Sequence, residues 1–342
     1  MARKNDKRNQ HYVPKCYLRN FSDNDEFIAT FMHSKNKFVQ NASLNSVAFR
    51  EYLYGKDLVI ENIFEKLEGK WAEAFKAIIS NKDVSEKEAA EIVYQIMSFI
   101  AFQNSRTLRV YDTLKKFGDF LTKFTYEHSA SDDSAKELLQ RYLPNGYNPM
   151  EAPFNTSIST IETFKDLSPL LIENKSAVDF ITSDNPVVLY NKFLVDRGYE
   201  GNYGLSAIGL CIFLPLSPKI CICLFDPKIY FSTNNEMVCG ICEETVQELN
   251  KLFCRNAYEF IFFTKRHSME YALELDHFFV DKLESKTSLV QSNIGPIIHL
   301  MSPSILEHYD MPFITIRKNS KRVSVPRLGP APQRFFRKTV VR

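Results

Sequence analysis

Five groups of side chains in this sequence are of types that could do chemistry. The first is His11, in Gln10-His11-Tyr12-Val13-Pro14. A histidine can act as acid, base or ligand near neutral pH; beside Pro and Tyr its plain alternative is a structural hydrogen bond. The second is Gln103 with Arg106. The positions Ile92, Ile96, Phe99, Gln103, Arg106 and Val110 are separated by alternating steps of four and three. That spacing keeps one helix face, so two polar side chains sit on a face that is otherwise apolar. A guanidinium buried without a partner costs several kcal/mol. Arg106 must therefore meet a carboxylate, a set of carbonyls or an anionic ligand such as a phosphate.

The third group is Thr182-Ser183-Asp184-Asn185-Pro186, where an apolar stretch gives way to a turn signal. Catalytic groups are common on such loops, and Asp and Asn also cap their own backbone there. The fourth is the cysteine set: Cys221-x-Cys223, then Cys239-x-x-Cys242. Four thiolates could hold zinc, but Cys221 and Cys223 alternate with Ile220, Ile222 and Leu224, as small buried hydrophobes do. The fifth is Asn250, with Arg255 and Asn256, in a helix-spaced segment; beside Val246, Leu249 and Phe253 it could be a polar residue on the buried side, but exposed helix surface is the more expected place for it.

The elements that must position these groups follow from periodicity. Residues 58–80 carry apolar positions at Ile60, Phe64, Leu67, Trp71, Phe75 and Ile78, a helical spacing. Ser85 with Glu88 reads as a capping box. It opens a second helix expected to run through Ile96 and Phe99 to Val110 and Phe117, antiparallel to the first. Residues 27–33 read as a strand. From 177 onward short apolar, β-branched stretches read as strands (AVDFITSD, NPVVLYN, AIGLCIFLPLS, KICICLFD, EFIFFTK), with helices at 243–258 and 268–285. The expected fold is α+β: a helical N-terminal half packed on a C-terminal half built round a mixed sheet. Residues 1–128 form the entry segment and helical hairpin, 129–160 a polar connection, 161–316 the sheet-centred part and 317–342 a tail, together one unit.

The chain has 342 residues and a formal net charge of +2, but the charge is unevenly spread. Residues 317–342 hold nine Lys or Arg and no acid, and residues 1–10 hold Arg3, Lys4, Lys7 and Arg8 against Asp6. The body between is acidic. Such asymmetry suits contact with a polyanion, or a solvated tail. Neither a Gly-rich phosphate loop nor H-E-x-x-H nor G-x-S-x-G occurs, which removes the familiar nucleotide-loop, metalloprotease and esterase readings. No segment reads as a signal peptide or a membrane span, and seven cysteines read as free thiols in a reducing cytoplasm.

Five segments taken in order, NQHYVPKCYLRNF, FQNSRT, FITSDNPV, FLPLSPK and LNKLFCRNAYEFI, resemble the DUF4238 family of bacterial and phage-associated proteins. The resemblance spans roughly residues 10–265. It singles out His11, Pro14, Leu18, Phe21, Gln103, Arg106, Ser183, Asp184, Asn185, Pro186, Pro215, Leu216 and Asn250. One position departs from the pattern: the family often has Pro two residues after the arginine, where this chain has Leu108. Marked residues that are polar and far apart in sequence imply a site assembled in one pocket.

The function expected from these residues is a nuclease-type effector, cleaving phosphodiesters of RNA or DNA, with a role in phage defence. His11 would be the acid–base, Arg106 the phosphate clamp, and Asp184 the group orienting His11 or binding a metal such as Mg²⁺. Gln103, Ser183, Asn185 and Asn250 would bind substrate, and the basic ends would follow a nucleic-acid backbone. Two alternatives stand beside it. One is a non-catalytic interaction module of a toxin–antitoxin or defence complex, with the tail docked on a protein partner. The other is hydrolysis of NAD or another small nucleotide, which calls for a deep closed pocket.

Overall fold

The computed structural model describes residues 8–128, 137, 148–234, 236–279, 286–292, 295–301 and 303–334. The chain enters through β1 (Asn9–His11), α1 (Lys15–Leu18), β2 (Phe27–Met32), β3 (Lys37–Ser43) and β4 (Phe49–Glu51). Three long helices follow: α2 (Val59–Ile79), α3 (Glu86–Ser105) and α4 (Leu108–His128), then α5 (Glu151–Thr160). The rest alternates: β5 (Ser168–Asn174), β6 (Thr182–Ser183), β7 (Val188–Tyr190), α6 (Lys192–Val195), β8 (Cys211–Ser217), β9 (Ile220–Phe225), β10 (Tyr230–Ser232) and β11 (Val238–Ile241). Then come α7 (Glu243–Asn256), β12 (Phe260–Phe263), α8 (Met269–Asp276), β13 (Lys286–Ser292), β14 (Gly295–Met301) and β15 (Ile314–Ile316).

The α+β class holds, but the N-terminal half is not purely helical. Four strands precede α2, and two of them belong to a sheet completed far downstream: β3-β2-β12-β6, antiparallel throughout. The second sheet, β11-β5-β9-β8-β7, is antiparallel except for the β11–β5 pair. The physical reason is visible in β2, whose Ile28, Ala29, Thr30 and Phe31 are all buried. A strand covered on both faces needs partners on both edges, and β12 supplies one of them.

The helices follow their stripes. In α2, Ile60, Phe64, Trp71, Ala74 and Phe75 are buried. The capping box at Ser85 and Glu88 opens α3 as the spacing predicts. The continuation differs: the helix expected to reach Phe117 breaks at Arg106 (φ −111°, ψ 13°). A new helix starts at Leu108, with Thr107 Oγ1 accepting the N–H of Val110 at 3.3 Å. Leu108 is thus the first residue of α4, the helix position that best tolerates proline. The aromatic core packs against this helical layer: Phe64, Phe75 and Phe102 surround Trp71 and Phe99. Tyr17 stacks on Phe99 and donates to the Pro215 carbonyl at 2.5 Å, tying α1 to β8.

The polar connection expected at 129–160 lies mostly outside the described residues, and its last part forms α5. Of the helix expected at 268–285, the described part is α8 and a short 3₁₀ turn to Phe279. The described part of the basic tail folds back onto the body. Arg317 donates to the carbonyls of Pro227 and Tyr230, and Arg327 pairs with Glu200. Arg334 is buried, donating to the carbonyls of Thr163 and Leu205 and lying 3.4 Å from Asp166. Lys318, Lys321 and Arg322 stay exposed, while Arg337, Lys338 and Arg342 lie outside the described residues.

Candidate functional site

The polar residues singled out in the sequence fall into two buried knots and one cleft. The first knot is at the end of β1. His11 Nε2 lies 3.1 Å from the Leu44 carbonyl, so this nitrogen carries the proton. Burial, reinforced by Lys15 and opposed by that hydrogen bond, pushes the imidazole down to about 4. Gln103 is fully buried; its Nε2 donates to the Tyr12 carbonyl at 2.9 Å and its Oε1 accepts from Arg106 Nε at 3.0 Å. The Arg106 guanidinium lies over the rings of Phe64, at 4.2 Å, and Trp71, at 5.4 Å. Both of its terminal nitrogens face Glu68 Oε1 at 3.4 Å.

Arg106 therefore meets the carboxylate that its burial demands, and that carboxylate is Glu68. Burial raises the Glu68 carboxyl above its usual range, with Arg106 pulling it back. Sequence reasoning passed over Glu68, although a signal was present. It stands four residues after Phe64 and three before Trp71, a charge inside an apolar stripe.

The second knot joins the Ser183-Asp184-Asn185 turn to the end of α7. Asp184 accepts the N–H groups of Tyr258 and Glu259, one on each oxygen, at 2.8 Å. Burial lifts its carboxyl to about 6, against those hydrogen bonds and the attraction of Arg109. Ser183 Oγ accepts the N–H of Asn185, as an ST-turn does. Asn185 and Asn256 exchange bonds: each side chain donates to the other's main-chain carbonyl, at 3.3 and 2.7 Å. Asn250 accepts from the Ile181 N–H and donates to the Asp179 carbonyl and the Tyr271 hydroxyl. It is a buried brace and not an exposed helix residue.

Gln103 brings Arg106 to the Tyr12 carbonyl, next in the chain to His11. Among the described residues no hydrogen bond joins Asp184 to either His11 or Arg106. Asp184 also suits a cation poorly, because both oxygens already face the positive ends of N–H dipoles. Among the described residues no group of three or more His, Cys, Asp or Glu could hold a metal. The cysteines are all free. Cys221 and Cys223 are buried in β9, where burial pushes both thiols up, whereas Cys242 is exposed at the start of α7. Among the described residues no helix is long and apolar enough to cross a membrane.

The cleft, about 400 Å³, is walled by five segments: the α3–α4 elbow and first turns of α4, Asn185 to Leu189, Tyr203 to Leu205, Asn256 at the end of α7, and Pro303 to Ile305. Of the predicted residues Gln103 and Asn185 line it; His11, Arg106, Ser183, Asp184 and Asn250 do not. Its cation is Arg109, which the sequence reading missed because it stands off the stripe. Arg109 donates to the Asn256 side chain and carbonyl and to the Ala257 carbonyl. The residue keeps partial exposure at the cleft, but its Nε is closed off from solvent and has no hydrogen-bond partner. Burial pushes this guanidinium down to about 10, with Asp184 opposing.

No curated protein and no solved structure matches the chain in comparison with known proteins. Residues 9–267, which hold both knots and most of the cleft wall, match the family described as "Protein of unknown function (DUF4238)". The chain belongs to the DUF4238 family.

Proposed function

We propose that the chain binds a small anionic molecule of the nucleotide class in the cleft beneath the α3–α4 elbow. The observation that carries this reading is Arg109, a partly exposed cation among the residues that line the cleft. The volume is that of a site for a discrete small molecule, and walls from five segments suit such a ligand better than a passing strand. Amide and hydroxyl groups of Asn104, Thr107 and Asn185 around the cation give the mixed lining that orients a ligand.

Binding is favoured over turnover. The described lining contains no His, Asp or Glu, and hydrolysis needs a group that activates water. His11, Arg106 and Asp184 each already make bonds that hold the fold, which favours the network reading over a nuclease triad. The test is calorimetric titration with AMP, ADP and NAD, run beside incubation with tRNA, single-stranded RNA and plasmid, with and without Mg²⁺. The reading calls for nucleotide binding that Arg109→Met weakens and for intact nucleic acids. Cleavage of RNA or DNA that His11→Ala abolishes, with no nucleotide bound, overturns it in favour of the nuclease.

A further inference from the structure

A second cleft, of about 530 Å³, lies between α7, the short 3₁₀ turn after α8 and the segment 307–309, and it shares no lining residue with the first. Tyr309 stands in its wall and is only 6% exposed. The Tyr309 ring packs edge-on against Tyr190 at 5.7 Å, and its N–H donates to the Tyr190 hydroxyl at 3.2 Å. The Tyr309 hydroxyl itself makes no hydrogen bond to any described residue, and it is not sealed from solvent. The charged side chains that act on it are Glu307 and Arg255, both in the cleft wall. A buried tyrosine ordinarily gives its O–H a partner. Here that partner has to come from whatever occupies the cleft.

The charges around this hydroxyl are balanced. Glu248, Lys251 and Arg255 follow one another on α7 at steps of three and four, which is one face of the helix. Lys251 pairs with Glu248 at 2.7 Å, and Arg255 with Glu307 at 2.7 Å. With His277 and His308 neutral, two positive and two negative side chains line the cleft. A plain anion would meet two carboxylates there, and a plain cation would meet Lys251 and Arg255. Phe278 is 39% exposed in the same wall, and Lys251 Nζ stands 5.2 Å from its ring centre. Charged and apolar contacts thus adjoin, as charge and side chain do around the Cα of an amino acid. We infer that this cleft is a second ligand site and that its ligand is a zwitterion with an apolar side chain, a free α-amino acid. Its carboxylate accepts from the Tyr309 hydroxyl and from Lys251, whose ammonium has donors beyond the one that Glu248 takes. Its ammonium lies against Glu248, and its side chain covers Phe278. The inference is independent of the nucleotide reading of the first cleft.

The test is titration of the purified full chain with leucine, phenylalanine, N-acetylphenylalanine and phenylalaninamide, for wild type, Tyr309→Phe and Lys251→Met. Phenylalanine or leucine should bind the wild type. Removing the ammonium, in N-acetylphenylalanine, or the carboxylate, in phenylalaninamide, should weaken binding at least about tenfold. Tyr309→Phe and Lys251→Met should each weaken binding of the free amino acid about tenfold, the loss of one hydrogen bond to a charged group. Because the Tyr309 hydroxyl has no partner within the described fold, Tyr309→Phe should leave the urea unfolding midpoint where it is. A lowered midpoint would show that the hydroxyl braces the fold, and would overturn its assignment to a ligand. Either derivative binding as tightly as phenylalanine overturns the zwitterion. Binding that neither variant weakens overturns the location, and no binding of phenylalanine or leucine overturns the site.

Discussion

Asp184 and Glu259 are joined by a 2.8 Å hydrogen bond from the Glu259 N–H to the Asp184 carboxylate, and Tyr258 makes the matching bond to the other oxygen. The carboxylate thus holds the turn between α7 and β12. Asp184→Ala leaves the part-buried N–H groups of Tyr258 and Glu259 without their acceptor. The expected loss is about 3 kcal/mol in urea unfolding, with Asp184→Asn losing less because one oxygen remains. A stable Asp184→Ala protein would show that the two bonds are not what this residue is for.

Acid should act on His11 and Asp184 in opposite directions. Folded His11 resists protonation down to about pH 4 whereas the unfolded residue protonates near 6.5, so its contribution is lost as pH falls through that window. Folded Asp184 takes a proton near 6 and the unfolded residue near 3.8, so the folded state gains stability over nearly the same fall. Each effect is on the order of 3 kcal/mol at full extent, and they offset. Relative to wild type, His11→Asn should gain stability between pH 6.5 and 4, and Asp184→Asn should lose it. Unfolding curves at pH 7, 5 and 4 measure both; parallel pH profiles for all three proteins would sink the idea.

Arg106 and Glu68 should behave as a coupled pair. Arg106→Met strands the half-buried carboxylate and removes the stack on Phe64, so a loss of about 3–5 kcal/mol is expected. Combining it with Glu68→Leu should recover part of that loss, since an apolar pair leaves no lone charge. A double-mutant cycle with zero coupling would show that 3.4 Å is too long for the pair to matter. Arg106→Lys should not restore stability, because an ammonium cannot lie flat on the rings while reaching Gln103 and Glu68.

The C-terminal segment should brace the cleft. Pro332 accepts from Ile208, Gln333 bridges to Ala207, and Arg334 holds Ser206 and Leu205, next to the wall formed by Tyr203 to Leu205. Ending the chain after Pro330 should speed hydrogen exchange across residues 199–208 by at least about tenfold. The α3 amides around Phe99 should not change. Unchanged exchange in 199–208 would mean that the wall stands without the segment.

Much of this architecture was legible before any coordinates, and the failures have definite causes. The capping box at Ser85 and the apolar runs at 211–225 are local signals, and local signals were read correctly. The elbow at Arg106 was missed because the apolar phase runs unbroken through Gln103 and Val110, with no proline or glycine between them to announce a stop. The early sheet was missed because the reason for β2 lies at residues 260–263, beyond any local window. Gln103, Arg106, Ser183, Asp184 and Asn185 are all buried as their settings suggest, and Asn250 is buried against the exposed place expected for it, but Asp179, Asn191 and Asp226 are buried too and gave no such signal, and burial alone cannot say which residues brace the fold and which face a ligand. Arg109 was invisible for the opposite reason: a lone charge on α4 looks like ordinary surface until Asn256 is brought against it.

The pairing of β2 with β12 also has a consequence for how the protein is made. Met32 leaves the ribosome long before Phe260, so the apolar strand Phe27–Met32 must wait through most of synthesis with an open edge. During that interval it is a template for pairing with the wrong chain. Expression slowed late in the message should therefore raise aggregation, and slowing it before residue 27 should not.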